Sequence, residues 1–233
     1  MRIKDSSLNY CFKSQDGEDK ILLKKWFNGL CNGAYVELGA LDGVQYSNSW
    51  FFNRVLGWKG LLIELGPKNF AQLRLNRINE LAVVHAGVCD VERKVHYLER
   101  GAVSGIVEFM SKDFRDHFYS HGEVEDVAQT MTCSPLRNIV KKHVGELSYF
   151  DFLSLDIEGA ENEALKSLDF TKTAFGIILI ECDNFVDRND SRIISLRAFL
   201  KGKGYEYVDL IARSCWFVND HFNEIYASLL HGD

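Results

Sequence analysis

Carboxylates recur where the short apolar runs of this 233-residue chain come to an end. Glu37 sits in the run AYVEL, which stops at Gly39, and Asp42 follows in the turn before Gly43. Glu64 closes a second run, Asp90 follows a third, and LSLDIEGAE brings Asp156 and Glu158 to the end of a fourth. Glu181 and Asp183 end a fifth, FGIILIE. Acids at successive strand ends can do two kinds of chemistry: hold the cationic or hydroxyl groups of a ligand, and move a proton.

The glycine turn narrows the first kind. Gly39-Ala40-Leu41-Asp42-Gly43 lacks the GxGxxG pattern that places a pyrophosphate at a helix N-terminus. Two carboxylates there would repel a phosphate by roughly several kcal/mol at low effective dielectric. S-adenosylmethionine fits better, since it carries a sulfonium, an α-ammonium and a ribose diol but no phosphate. Glu64, 25 residues after Gly39, stands where an acid commonly accepts from ribose hydroxyls. Asp90 is in reach of the adenine side. The plain alternatives are that Glu37 serves a helix N-terminus and that Asp42 bonds its own backbone as a turn former.

The second kind falls to Asp156, Glu158 and Glu181, the candidate catalytic carboxylates. Period two puts Asp156 and Glu158 on one side of their strand. In one reading Asp156 or Glu158 takes the proton of an acceptor hydroxyl. In another, Asp156, Glu181 and Asp183 hold Mg²⁺, which acidifies a chelated hydroxyl. In a third, Glu158 caps a helix and Glu161 serves only its dipole. His85 reads as a core histidine, His117 and His121 as bases if their segment covers the site. Tyr46, Trp50 and Tyr119 are of a type that stacks on sugar rings.

The elements that would position these groups alternate. Apolar runs at 34–38, 60–65, 81–88, 151–157 and 175–181 read as buried parallel strands. Helical patterns fill 47–56, 67–77, 160–168 and 190–203, and SQDGEDKILLKKWF reads as one helix. Residues 205–212 and 214–218, separated by a short gap, predict an antiparallel C-terminal hairpin. The fold class is therefore α/β, a Rossmann-like three-layer sandwich with a mostly parallel seven-stranded sheet. We expect a single domain over 1–233, with an N-terminal helical segment (1–30) and an irregular insertion or lid (99–135).

The bulk numbers exclude some partners. A net charge of −6 and the lack of a long basic run argue against nucleic acid. The apolar runs are far too short to span a bilayer. Six cysteines without a CxxC pair suggest reduced thiols used as small apolar fillers, hence a cytoplasmic location. A homo-oligomer, or one domain of a longer chain, is compatible with the sequence.

SQDGEDKIL, YVELGALDGVQYSN, GWKGLLIE, HAGVCD and DFLSLDIEGAENEALKSLDF together resemble the FkbM-type methyltransferases, in order from about Ser14 to Glu181. The resemblance implies a class I S-adenosylmethionine-dependent O-methyltransferase acting on a hydroxyl of a sugar, glycan or glycosylated small molecule. It places Glu37, Gly39, Asp42, Ser47 and Asn48 at the methionine end of the cofactor, Glu64 on the ribose and Asp90 near the adenine. Two positions depart from the family pattern: Glu64-Leu65-Gly66-Pro67 replaces an EPNP-like run, and Leu41 replaces a common Asn. The competing function is a non-catalytic scaffold that has kept the fold. A nicotinamide-dependent oxidoreductase is disfavoured by the acidic turn.

Overall fold

The computed structural model describes residues 10–119, 128–145, 147–182 and 189–227. Seven strands form the main sheet: β1 (Ala34–Leu38), β2 (Lys59–Glu64), β3 (Ala82–His85), β8 (Tyr149–Leu155), β9 (Ala174–Glu181), β10 (Tyr205–Ile211) and β11 (Ser214–Asn219). Their order is β10-β11-β9-β8-β1-β2-β3. The pairs among β3, β2, β1, β8 and β9 are parallel, while β11 runs antiparallel to both β9 and β10. The order reverses beside β1, and in open α/β sheets ligands bind at such a switch point.

Side-chain alternation divides the core into two layers. Val36, Leu38, Leu61, Ile63, Ile178 and Ile180 point to one face. There they meet α5 (Leu136–Val144), α6 (Glu161–Lys166) and α7 (Ser191–Lys201) through Ile139, Leu165 and Leu196. Tyr35, Leu62, Phe152, Ile177, Leu179 and Trp216 point to the other. That face is covered by α2 (Trp50–Leu56), α3 (Pro67–Asn76), α8 (Phe222–Ile225) and an N-terminal helical segment, through Phe52, Leu73, Phe222 and Trp26. Strands buried on both faces carry continuous apolar runs, which is why they are readable in sequence.

Several expectations need correction. The N-terminal helix is short: α1 (Glu18–Ile21) passes into a π-helical turn, Leu22–Trp26. The run 81–88 is two strands, because after β3 the chain bends and Gly87–Val88 (β4) joins a second sheet. That sheet has the order β4-β7-β5-β6, with β5 (Arg93–Leu98), β6 (Gly105–Ile106) and β7 (Gln129–Ser134). The insertion at 99–135 is thus partly regular and also carries α4 (Lys112–Phe118). His85 is exposed, not core, since β3 is an edge strand; its ring stacks on Phe70.

Four of the six cysteines are paired and not reduced fillers: Cys89 with Cys133, and Cys182 with Cys215. Sheet register explains both pairs. β4 lies alongside β7, with Gly87 opposite Cys133, and Cys215 faces Ile180 two residues before Cys182. Disulfides persist in oxidising compartments and are rare in the cytosol, so they weigh against the expected cytoplasmic location. No helix among the described residues is long and apolar enough to cross a membrane.

Candidate active site

The parallel strand tips open into a cavity of about 820 Å³, within the roughly 300–1,000 Å³ usual for small-molecule sites. β1 and β8 meet at its floor. Asp156 donates its backbone N–H to the Leu38 carbonyl, and a Cβ on Gly39 would stand 1.7 Å from the Asp156 carbonyl oxygen. Only glycine permits that approach, at a φ of +75°.

On one side lie Glu37, Gly39, Leu41, Asn48 and Glu64. Glu37 is buried, accepting from Ser47 Oγ (3.0 Å), Ser49 Oγ (2.5 Å) and the Asn48 N–H (2.7 Å). Burial raises its pKa, opposed by the charge of Arg77 and by these donors. Arg77, 1% exposed, lies beneath the turn and donates to Gly43 O, Tyr35 OH and Ser49 Oγ. Asn48 donates to Ser154 Oγ, while its own Oδ1, shielded from solvent, has no hydrogen-bond partner among the described residues. Glu64, 4% exposed, accepts from the N–H groups of Leu41 (2.9 Å) and Gly66 (2.8 Å). Burial pushes its carboxyl up to about 7 despite those bonds.

Three expected cofactor residues do not line the cavity. Asp42 is a turn former: its Oδ1 accepts from the N–H groups of Val44 (2.8 Å) and Gln45 (2.7 Å). Ser47 lies behind Glu37 as its donor and also accepts from the Trp50 N–H. Asp90 lies on the surface beyond β4, paired with Arg93 at 2.5 Å, which holds its carboxyl below the ordinary range.

The opposite side gathers acids. Asp156, Glu158, Glu161 and Glu181 all line the cavity. One carboxylate oxygen from each of Asp156, Glu158 and Glu181 lies within 4.8 Å of the others. Burial, then the neighbouring Glu181, Glu158 and Glu161, push the Asp156 carboxyl well above the usual range. Glu161 is a capping group, its Oε1 accepting from the N–H groups of Ile157 and Gly159. Glu158 has a φ of +53°. Leu41 and Tyr46, at +50° and +60°, are strained likewise and also line the cavity. Such outliers cluster where the surroundings over-determine the backbone, as at ligand sites. Asp183 lies outside the described residues. The three carboxylates suit a hard cation in number and type, yet Arg213 Nη2 donates to Glu181 Oε1 within the cluster.

The insertion supplies the outer wall, through Val103, Phe109, Phe114 and His117. It presses on the acidic loop: a Cβ on Gly159 would stand 2.5 Å from the Phe109 carbonyl oxygen. His121 lies outside the described residues. Tyr119 is buried under the wall and Trp50 packs on Arg54 and Arg77, so neither faces the cavity. Sequence reasoning overlooked Gln15 and Arg213, both of which line it.

A model of the methyltransferase FkbM domain matches residues 37–207. The chain belongs to the FkbM methyltransferase family. A crystal structure of methyltransferase FkbM from Methylobacillus flagellatus KT superposes with a TM-score of 0.50 at 14% identity, covering 84% of this chain and 47% of that one. This FkbM domain therefore spans about half the length of that relative. Fibrillarin from Aeropyrum pernix, solved with natively bound S-adenosyl-L-methionine, is similar over 88% of this chain and 74% of its own, at 11% identity and a TM-score of 0.46. No curated protein matches the chain. The Rossmann-like α/β fold expected from sequence is thus the fold of an FkbM domain.

Proposed function

We propose that this FkbM domain binds S-adenosylmethionine in the strand-tip cavity and transfers its methyl group to a hydroxyl of a sugar, glycan or glycosylated small molecule. The observation that carries the reading is Glu64. It is a buried carboxylate beside the glycine turn, held by two backbone N–H groups and by a longer bond from the Asn69 side-chain amide at 3.3 Å, which a ribose diol would displace. Asn48 adds a shielded, unpartnered acceptor of the kind an α-ammonium satisfies. Glu37, Gly39 and Asn48 belong to the methionine end in this reading. Asp42, Ser47 and Asp90 do not touch the cofactor.

When bound, S-adenosylmethionine supplies an electrophilic methyl on a sulfonium. The remaining work is positioning and proton removal. Alignment of reacting groups can supply roughly 7–11 kcal/mol, here by rigid strand tips and the wall of the insertion. Glu158 is the base: its strained backbone presents it from the acidic loop, whereas burial, then the neighbouring acids, raise the Asp156 carboxyl well above the usual range. Glu181 and Asp156 shape the acceptor side. The acid-lined cavity favours a neutral polyol over a phosphate-bearing acceptor.

The test is incubation with methyl-labelled S-adenosylmethionine and a panel of sugars and glycan fragments, read by mass spectrometry. The expected result is one added methyl on at least one acceptor. Glu158→Gln should lower turnover roughly 10²–10⁴-fold with cofactor affinity within threefold. Cofactor binding without transfer across the panel would favour the scaffold reading. Turnover unchanged in Glu158→Gln would remove that residue from the mechanism.

A further inference from the structure

Arg213 lies beyond the matched span of the family, in the turn joining β10 to β11. Because β11 runs antiparallel to β9, it starts where β9 ends, and Ser214 stands opposite Glu181. Two further links hold the turn there. The Cys182 N–H donates to the Arg213 carbonyl at 2.6 Å, and Cys182 is disulfide-bonded to Cys215. From this anchored backbone the guanidinium reaches the carboxylate cluster, where Nη2 donates to Glu181 Oε1. Its Nε–H, shielded from solvent, has no hydrogen-bond acceptor among the described residues and lies 4.0 Å from Asp16 Oδ2. The side chain is 23% exposed.

We propose that Arg213 is a positioning residue, the built-in counter-cation of the Asp156–Glu158–Glu181 cluster, standing in the place a divalent cation would take. A guanidinium neutralises carboxylates as Mg²⁺ would, but as a fixed planar fork with no open coordination position. It holds Glu181 toward the strand tips, and the disulfide holds the turn that carries it. The inference rests on reading this cavity as the transfer site. Against the reading in which Asp156, Glu181 and Asp183 hold Mg²⁺, it gives the counter-charge to a residue of the chain itself.

Mn²⁺ alone is the probe, titrated by electron paramagnetic resonance into wild type, Arg213→Gln, Arg213→Lys and the double variant Arg213→Gln/Glu181→Gln. Wild type and Arg213→Lys are expected to bind no Mn²⁺ at 1 mM or below, a concentration of about the weakest specific affinities. Arg213→Gln should bind it roughly 10- to 1,000-fold more tightly, the scale on which an adjacent cation shifts carboxylate chemistry. The double variant should lose that gain. Wild type binding Mn²⁺ as tightly as Arg213→Gln, or a folded Arg213→Gln with no gain, would overturn the proposal. Should Arg213→Gln fail to fold, nitrogen-detected NMR of Arg213 in wild type decides. Slowed guanidinium rotation that Glu181→Gln abolishes supports the proposal, and free rotation overturns it. None of these readouts involves S-adenosylmethionine, so failure of methyl transfer leaves them separately interpretable.

Discussion

The α-carbon of Gly39 faces the carbonyl of Asp156 so closely that a Cβ would stand 1.7 Å from its oxygen. This contact joins the end of β1, which carries the glycine turn, to the end of β8, which carries the acidic loop. Gly39→Ala is expected to cost about 2–4 kcal/mol of stability and to weaken S-adenosylmethionine binding at least tenfold. Gly101→Ala is the control. Its φ is also positive, at +59°, but nothing lies within 4 Å of the added Cβ, so it should cost only about 1 kcal/mol. Thermal melts of both variants check the contrast; equal losses would mean that backbone conformation, not the approach to Asp156, makes Gly39 necessary.

Glu64 makes the site pH-dependent. Burial raises its carboxyl from 4.5 to about 7, and accepting from two ribose hydroxyls requires the ionised form. S-adenosylmethionine affinity should therefore fall as the pH drops below about 7, approaching tenfold per pH unit. Stability of the free protein has the opposite sign. The folded state holds this proton more tightly than the unfolded chain, so Glu64's contribution is fully present below about 4.5 and is lost as the pH rises through about 7. Calorimetry and melts between pH 5 and 8 read both slopes, and Glu64→Gln should flatten each. A cofactor affinity independent of pH in wild type would count against the ribose role.

The Cys89–Cys133 bond closes a separation of 44 residues that holds most of the second sheet. Chain-entropy arguments give such a loop about 4 kcal/mol. Cys89→Ala/Cys133→Ala should lower the melting temperature by roughly 8–16 °C at this chain length. It should also loosen the insertion that walls the cavity. Melting unchanged by the double substitution would mean that the second sheet is held by its packing alone.

The main sheet was legible because its strands are buried on both faces and so appear as unbroken apolar runs. The second sheet was not. RKVHYL exposes Arg93, Lys94 and His96 and buries only Val95, Tyr97 and Leu98, and two of the sheet's four strands, β4 and β6, are two residues long. Glu64 and Glu158, both read from their place after apolar runs, line the strand-tip cavity. Asp42 and Asp90 have the same signature, but backbone N–H groups engage one and Arg93 the other, and sequence does not distinguish a carboxylate engaged locally from one left for a ligand. Arg213 needed strand order: it reaches the carboxylates only because the hairpin folds back beside β9.

The central claim is that these strand tips hold a methyl donor, and isothermal calorimetry with S-adenosylmethionine tests it most directly. The account expects one saturable site of micromolar affinity at pH 8, weakened at least tenfold by Glu64→Gln. No heat up to millimolar ligand, with no shift in melting temperature, would contradict it.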